Sequence, residues 1–187
     1  CTGKFAVIDL GSNSLRLVIF DDVENYPHQF ISERYRAKLA EGKSSVDFEL
    51  SEDKIDNLLK TLKWFDWICK EQGVQTAVVV ATSAIREAKN GKDIAKRAKK
   101  ELGVEINIID GQTEAKLSAI GALNSIKNAN GLVLDLGGGS LEIYCTNTQK
   151  QVSLPLGILS LKAITNNDPN AAVELLKEEL SKIDWIK

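Results

Sequence analysis

The chain has 187 residues, 43% of them hydrophobic, and a net charge of −2. That size supports the core of one or two small domains, and nothing in the composition resembles a disordered or low-complexity tract. The near-neutral charge excludes bulk attraction to nucleic acid or anionic membrane, so a polyanionic ligand would have to be held by local positive groups and metal.

Phe5–Leu10, Leu15–Phe20 and Gln29–Arg34 read as the strands of an antiparallel meander, with Asp21-Asp22 and Asn25 to Pro27 supplying turn chemistry. Leu39 to Phe48 is polar and reads as a loop. Ser51 is placed to cap a long helix with Glu52 and Asp53 in its first turn. Ile55, Leu58, Leu59, Leu62, Phe65 and Ile68 recur at helical spacing, and Gly73 stops the helix. Trp64 and Trp67 flank this stripe and are expected to pack beside it. Ala77 to Ala81 has the pattern of a fully buried strand. Asp93 is expected to cap a helix that runs to Leu102 and ends at Gly103. Val104–Ile109 reads as a strand, followed by a helix from about Gln112 to Ile126. Such alternation predicts parallel strands covered by helices.

A second unit opens with strands Leu132–Leu136, Leu141–Cys145 and Gln151–Leu154. Pro155-Leu156-Gly157 reads as a turn into a helical stretch, and Asn170 is placed to cap a last helix through about Ile183. The expected boundary gives lobes 1–111 and 112–187, the second apparently incomplete. The sequence holds no methionine and starts at Cys1, which reads as a fragment.

Cys1, Cys69 and Cys145 form neither a disulfide framework nor a CxxC pattern. Cys69 falls on the apolar helix face and Cys145 ends a strand, so both read as buried thiols in a reducing compartment. No apolar run reaches membrane-spanning length, and no signal segment precedes Phe5; the expected location is the cytoplasm. His28, the one histidine, reads as a surface residue in a turn.

Two loops repeat one pattern. Asp9-Leu10-Gly11-Ser12-Asn13-Ser14 and Asp135-Leu136-Gly137-Gly138-Gly139-Ser140 each follow an apolar run and lead into another. Glycine allows close approach of an anion to backbone N–H groups, and successive N–H groups in a tight turn form an anion-binding concavity. An Asp at the strand end cannot bind phosphate directly but can hold Mg²⁺, with water and phosphate oxygens completing the shell. The pair predicts a phosphate chain gripped between two related lobes.

Four segments together closely resemble the exopolyphosphatase / guanosine pentaphosphate phosphatase family. They are Ile8 to Ser14, Ala81-Thr82-Ser83-Ala84-Ile85-Arg86 with the residues to Asn90, Ile109-Asp110-Gly111-Gln112-Thr113-Glu114-Ala115, and Leu134 to Glu142. The resemblance covers about Lys4 to Lys162, and the Ala-Thr-Ser-Ala-x-Arg segment is the discriminating one. It implies an α/β fold of two actin-like (ribonuclease H-like) lobes, each a mixed sheet with covering helices, within the superfamily of sugar kinases, acetate kinase and Hsp70.

The implied reaction is metal-assisted hydrolysis of the terminal phosphoanhydride of polyphosphate or guanosine pentaphosphate. By this resemblance Glu114 is the base that activates or orients water, and Arg86 clamps phosphate. Gly11, Ser12, Asn13 and Ser14 hold one part of the phosphate chain, and Gly137, Gly138, Gly139 and Ser140 hold the other. Asp9, Asp135 and Glu142 bind or orient Mg²⁺. Thr82 and Ser83 add donors or cap a turn. The implied partners are a polyphosphate or alarmone substrate, with neither nucleic acid nor membrane, and a homodimer is compatible.

The sequence departs from the family pattern at Gln112 and Thr113, where acids are usual, and at Leu141, where Thr is usual. It also lacks the later Gly-Gly motif of fuller members. Two alternatives stay open: a catalytically weak polyphosphate or alarmone sensor, and a nucleotide-dependent kinase or ATPase of the same superfamily.

Overall fold

The computed structural model describes residues 3–21, 28–41, 48–126 and 128–186. Cys1, Asp22, Asn25 to Pro27, Lys43 and most of the expected 39–48 loop lie outside the described residues. The chain divides into two compact units. Among the described residues, those up to 39 and from 48 to 109 form the first, and 40–41 with 110–186 form the second.

The first unit is built on a five-stranded sheet of order β3-β2-β1-β4-β5. Strands β1 (Lys4–Leu10), β2 (Leu15–Asp21) and β3 (His28–Tyr35) form the expected antiparallel meander. Helix α1 (Glu52–Glu71) is the crossover that brings β4 (Val74–Ala81) parallel to β1. A short helix, α2 (Ser83–Arg86), and α3 (Gly91–Leu102) then lead to β5 (Ile106–Ile108), parallel to β4.

Strand alternation puts Ala6, Ile8, Leu10, Leu15, Leu17 and Ile19 on one buried face, where they meet the α1 stripe of Ile55, Leu58, Leu59, Leu62 and Phe65. Burying each of the larger side chains contributes about 1.5–3 kcal/mol. Arg97 of α3 holds Glu52 and Asp56 of α1, each at 2.8 Å, and binds Glu101 one turn on.

Several expectations are corrected here. β4 is not buried on both faces: Val79 and Ala81 are buried on the face that α1 and α3 cover, while on the other face Val78 and Val80 are only half-buried and Thr76 is exposed. Trp64 and Trp67 are 40% and 57% exposed, and Trp64 meets only the edge of the stripe at Phe65. The Val104–Ile109 run pairs only over Ile106–Ile108. Asp93 lies inside the first turn of α3, ion-paired to Lys96 at 2.8 Å. Asn90 takes the cap position instead, and its amide brackets the Leu50 backbone. Gly91 is required there, because a Cβ would fall 1.9 Å from the Ile85 carbonyl oxygen.

The second unit has a three-stranded antiparallel sheet of β6 (Leu132–Leu136), β7 (Leu141–Cys145) and β8 (Gln151–Leu154). Helix α4 (Gly111–Ser125) packs across all three strands. On the opposite face, Leu141 and Ile143 join Leu156, Leu161 and Ile183 in a core closed by α5 (Ile158–Ile164) and α6 (Pro169–Ser181). The α6 cap is Asp168, not Asn170. Its carboxylate accepts the N–H groups of Asn170 and Ala171, and Pro169 suits the first helical position because it has no N–H to satisfy. Cys69 and Cys145 are buried free thiols, as expected, and His28 is exposed beside Asp21.

Candidate functional site

Each unit carries one glycine turn of the same construction. In the first, the Gly11 N–H donates to the Ser14 carbonyl at 3.1 Å, closing the connection between β1 and β2. In the second, the Gly137 N–H donates to the Ser140 carbonyl at 2.9 Å, between β6 and β7. Among the described residues, the intervening N–H groups of Ser12 and Asn13, and of Gly138 and Gly139, have no partner. Two successive unbonded N–H groups at a sheet end form the concavity that anions occupy.

The two loops are held from behind by different means. Ser12 is buried, and its hydroxyl lies 2.7 Å from that of Ser83 at the start of α2. Its side chain therefore ties the first loop to the Thr82–Arg86 segment, leaving the backbone to meet a ligand. The Asn13 carbonyl accepts the N–H of Lys38 at 2.8 Å. In the second loop three successive carbonyls are consumed: Gly137 by the Ile158 N–H (3.0 Å), Gly138 by the Leu159 N–H (2.8 Å) and Gly139 by the Ser160 hydroxyl (2.9 Å). With its carbonyls turned toward α5, the loop presents N–H groups elsewhere. Gly157 makes this approach possible, since a Cβ there would lie 2.4 Å from the Ser140 nitrogen. Sequence reasoning missed Gly157 and Ser160 as parts of the loop; the only signal was the Pro155-Leu156-Gly157 turn.

The acids of the second unit gather on one sheet face. Asp135 and Glu142 are direct cross-strand partners. The Ser118 hydroxyl of α4 donates to Asp135 at 2.6 Å, and Ser153 of β8 donates to Glu142 at 2.7 Å. Glu114 lies one helical turn before Ser118 and therefore shares the α4 face that meets Asp135. The helix start that aims Glu114 is fixed by Asp110, whose side chain accepts the Thr113 N–H at 2.7 Å. Glu142 is only 3% exposed. Burial raises its carboxyl above the ordinary range, and the charges of Glu114 and Asp135 raise it further, against the hydrogen bonds from Ser153 and Ser140.

Among the described residues no group of three or more His, Cys, Asp or Glu side chains is placed to hold a metal ion. The facing pair Asp135 and Glu142 fits Mg²⁺ bound through one or two carboxylates, with water and phosphate oxygens supplying the rest. Asp9 stands at the corresponding place in the first unit, exposed at the end of β1 and opposite Arg16.

Arg86 closes α2. One guanidinium nitrogen donates to the Ile109 carbonyl at 3.1 Å, and another stands 3.7 Å from Glu87. With its side chain 20% exposed, Arg86 is anchored at the end of β5 rather than free on the surface. The expected residues thus form two groups. Asp9, Gly11 to Ser14 and the Ser83–Arg86 helix belong to the first unit; Glu114, Asp135, Gly137 to Ser140 and Glu142 belong to the second.

The model of the Ppx/GppA phosphatase family matches residues 18–183. The chain belongs to this family. It is 31% identical over 160 residues to Exopolyphosphatase 1 of Mycobacterium tuberculosis, covering 82% of this chain and 46% of that protein. It is 32% identical over 197 residues to the bifunctional 3-dehydroquinate synthase/phosphatase of Fusobacterium nucleatum, covering 97% of this chain and 29% of that one. The crystal structure of an exopolyphosphatase from Cytophaga hutchinsonii superposes with a TM-score of 0.77 at 32% identity, over 84% of this chain and 52% of the other. The Ppx/GppA family member of Aquifex aeolicus gives a TM-score of 0.77 at 30% identity, over 96% and 62%. The α/β fold expected from the sequence is the fold of these Ppx/GppA structures. The chain spans about half the length of the mycobacterial relatives it matches. No helix among the described residues is long and apolar enough to cross a membrane.

Proposed function

We propose that the protein hydrolyses the terminal phosphoanhydride of inorganic polyphosphate, releasing orthophosphate, and that guanosine pentaphosphate is a second substrate of the same chemistry. The observation that carries this reading is the acid cluster of the second unit: Glu114 on a capped helix start, facing Asp135 and Glu142 beside a loop whose Gly137, Gly138 and Gly139 carbonyls are engaged by α5. Family membership and the exopolyphosphatase relatives support the substrate class.

In the proposed reaction the Glu114 carboxylate orients a water molecule and accepts its proton. The water oxygen forms a bond to the terminal phosphorus as the phosphoanhydride bond opposite it breaks, and the shortened chain leaves. The unbonded N–H groups of Gly138 and Gly139 bind phosphate oxygens, and the first loop offers the same kind of donor pair at Ser12 and Asn13. Arg86 presents a bidentate fork of donors to phosphate. Asp135 and Glu142 would hold or orient Mg²⁺, and Asp9 is the corresponding acid of the first unit; the bound metal would neutralise charge on phosphate oxygens. A cytoplasmic setting suits the two buried free thiols.

Phosphate release from long-chain polyphosphate and from guanosine pentaphosphate, measured side by side with Mg²⁺ and with chelator, tests the reading. Metal-dependent release that disappears in Glu114→Gln supports it. No release from either substrate by the unaltered protein rejects it.

A further inference from the structure

Helix α4 meets its sheet with small side chains. Ala115 and Ala119 are each 1% exposed, so the helix lies close to the strands. Ser118, three residues on from Ala115, shares this face and is half-buried. A hydroxyl inside a helix can donate back to the carbonyl one turn earlier. Thr61 donates to Asn57 at 2.7 Å and Ser125 to Gly121 at 3.5 Å in this way. Ser118 instead sends its hydroxyl off the helix, to Oδ2 of Asp135 at 2.6 Å.

Asp135 needs that partner more than Glu142 does. Glu142 is buried on the middle strand of its sheet, where Ser153 and Ser140 both donate to it. Asp135 is exposed on β6, which has β7 as its one neighbour among the described strands. Among the described residues, Ser118 is the donor to its side chain, and none meets Oδ1. A short carboxylate on an edge strand moves between rotamers unless a neighbour fixes it. Fixed through Oδ2, it keeps Oδ1 as an acceptor for a cation. The same bond bears on Glu114, which precedes Ser118 by four residues, about 6 Å along one helix face. Tying α4 to β6 at Ser118 therefore also fixes where Glu114 stands relative to Asp135.

We propose that Ser118 is a positioning residue: it holds one carboxylate oxygen of Asp135 so that the other stays available to Mg²⁺, and the same bond locks the helix of Glu114 to the acid pair. This rests on the metal role proposed above for Asp135 and Glu142. It adds to that role a residue that touches neither metal nor substrate. Loss of a side chain that holds a ligating carboxylate typically costs about 10- to 100-fold in metal affinity.

The test is a Mg²⁺ titration followed by melting temperature, which gives a half-saturating concentration without any turnover. It compares the unaltered protein with Ser118→Ala, Ser118→Thr, Asp135→Asn and the double variant Ser118→Ala/Asp135→Asn. Ser118→Ala is expected to raise the half-saturating concentration about 10-fold or more. Ser118→Thr keeps the hydroxyl and should stay within about 3-fold of the unaltered protein. Alanine is the better helix former, so a weakened response does not report a lost helix. Added to Asp135→Asn, Ser118→Ala should have no further effect, because the carboxylate it orders is gone. An unchanged half-saturating concentration in Ser118→Ala, with the unaltered protein responding, overturns the positioning role and leaves the proposed hydrolysis standing. A melting temperature lowered without Mg²⁺, with that concentration unchanged, overturns it too and reduces Ser118 to a staple between α4 and β6. No response to Mg²⁺ in the unaltered protein overturns this inference together with the metal role of the pair. Phosphate release from polyphosphate then judges the hydrolase separately.

Discussion

Asp135 and Glu142 face each other across the β6–β7 pair, acid against acid, where the first sheet sets Asp9 against Arg16. Like charges placed directly opposite destabilise a sheet, and the penalty is larger here because Glu142 is buried. Hydrogen bonds from Ser118 and Ser153 satisfy oxygens of the pair without neutralising its charge. The arrangement makes sense as an electrostatic demand that a proton or a cation answers, and this gives it a measurable pH signature.

Glu142 keeps its proton in the folded chain to a higher pH than its ordinary value of 4.5. Above that ordinary value the unfolded state has released the proton while the native state still holds it. The native state therefore binds more protons, and stability falls as pH rises through the window up to the raised folded value. Glu142→Gln removes this loss. Its melting temperature should exceed that of the unaltered chain at neutral pH, and the advantage should shrink as the medium is acidified toward the unfolded carboxyl range. A difference that stays constant with pH would show that Glu142 is not destabilised by its surroundings.

Magnesium should act on the same pair. A cation that binds the native state alone raises the melting temperature by mass action. The rise on adding Mg²⁺ should be clear for the unaltered chain and much smaller for Asp135→Asn, which removes one charge of the pair. Equal rises in both would place the metal elsewhere or nowhere.

Glu114→Gln keeps the shape of the side chain and removes its capacity to accept a proton. Turnover should fall by about 10²- to 10⁴-fold, the range for a lost general base, with polyphosphate binding largely retained. Near-normal turnover would remove Glu114 from the chemistry. Arg86→Ala should raise KM and lower kcat together, because the guanidinium also anchors α2 to the Ile109 carbonyl. Arg86→Lys, which keeps charge but not the fork, separates these roles: it should recover little if bidentate contact with phosphate matters.

Much of this was legible in the sequence because local patterns carried it. Alternation located β1 to β3 and β6 to β8, and helical periodicity located α1. The two Asp-x-Gly loops stood out because a glycine turn between apolar strands is punctuated by its own residues. The errors came where tertiary context decides. Ala77 to Ala81 has the pattern of a doubly covered strand, but whether a helix covers the second face is not written in the strand itself. Trp64 and Trp67 were assigned to packing by hydrophobicity, yet their positions on α1 lie off its buried stripe. Asp93 and Asn170 were plausible caps displaced by Asn90 and Asp168, whose neighbours Gly91 and Pro169 fix the helix starts. The support of the second loop by Ile158, Leu159 and Ser160 was not legible, because backbone donors leave no residue signature. Nor was the inward turn of the Ser12 hydroxyl, which depends on Ser83, a residue distant in sequence.

Gly157 is the position where that hidden support can be tested. Its backbone has φ −68° and ψ 167°, a conformation any residue adopts. Alanine is therefore excluded by contact and not by torsion. A Cβ would stand 2.4 Å from the Ser140 nitrogen and 2.5 Å from the Gly139 nitrogen and carbonyl carbon. These are backbone atoms of the loop itself, so relief requires the loop to move. Gly157→Ala should cost about 1–3 kcal/mol, the usual range for overpacking, and should also weaken phosphate binding by displacing Gly139 and Ser140. Gly103→Ala is the control. Gly103 has φ +71° with nothing within 4 Å of its added Cβ, so alanine there should cost about 1–2 kcal/mol of left-handed strain and leave phosphate binding alone. Melting temperature and phosphate affinity, measured together, distinguish the two. If Gly157→Ala lowered stability as Gly103→Ala does but left phosphate affinity intact, the α5 clamp would be structural only, and the second loop would not depend on it to bind anions.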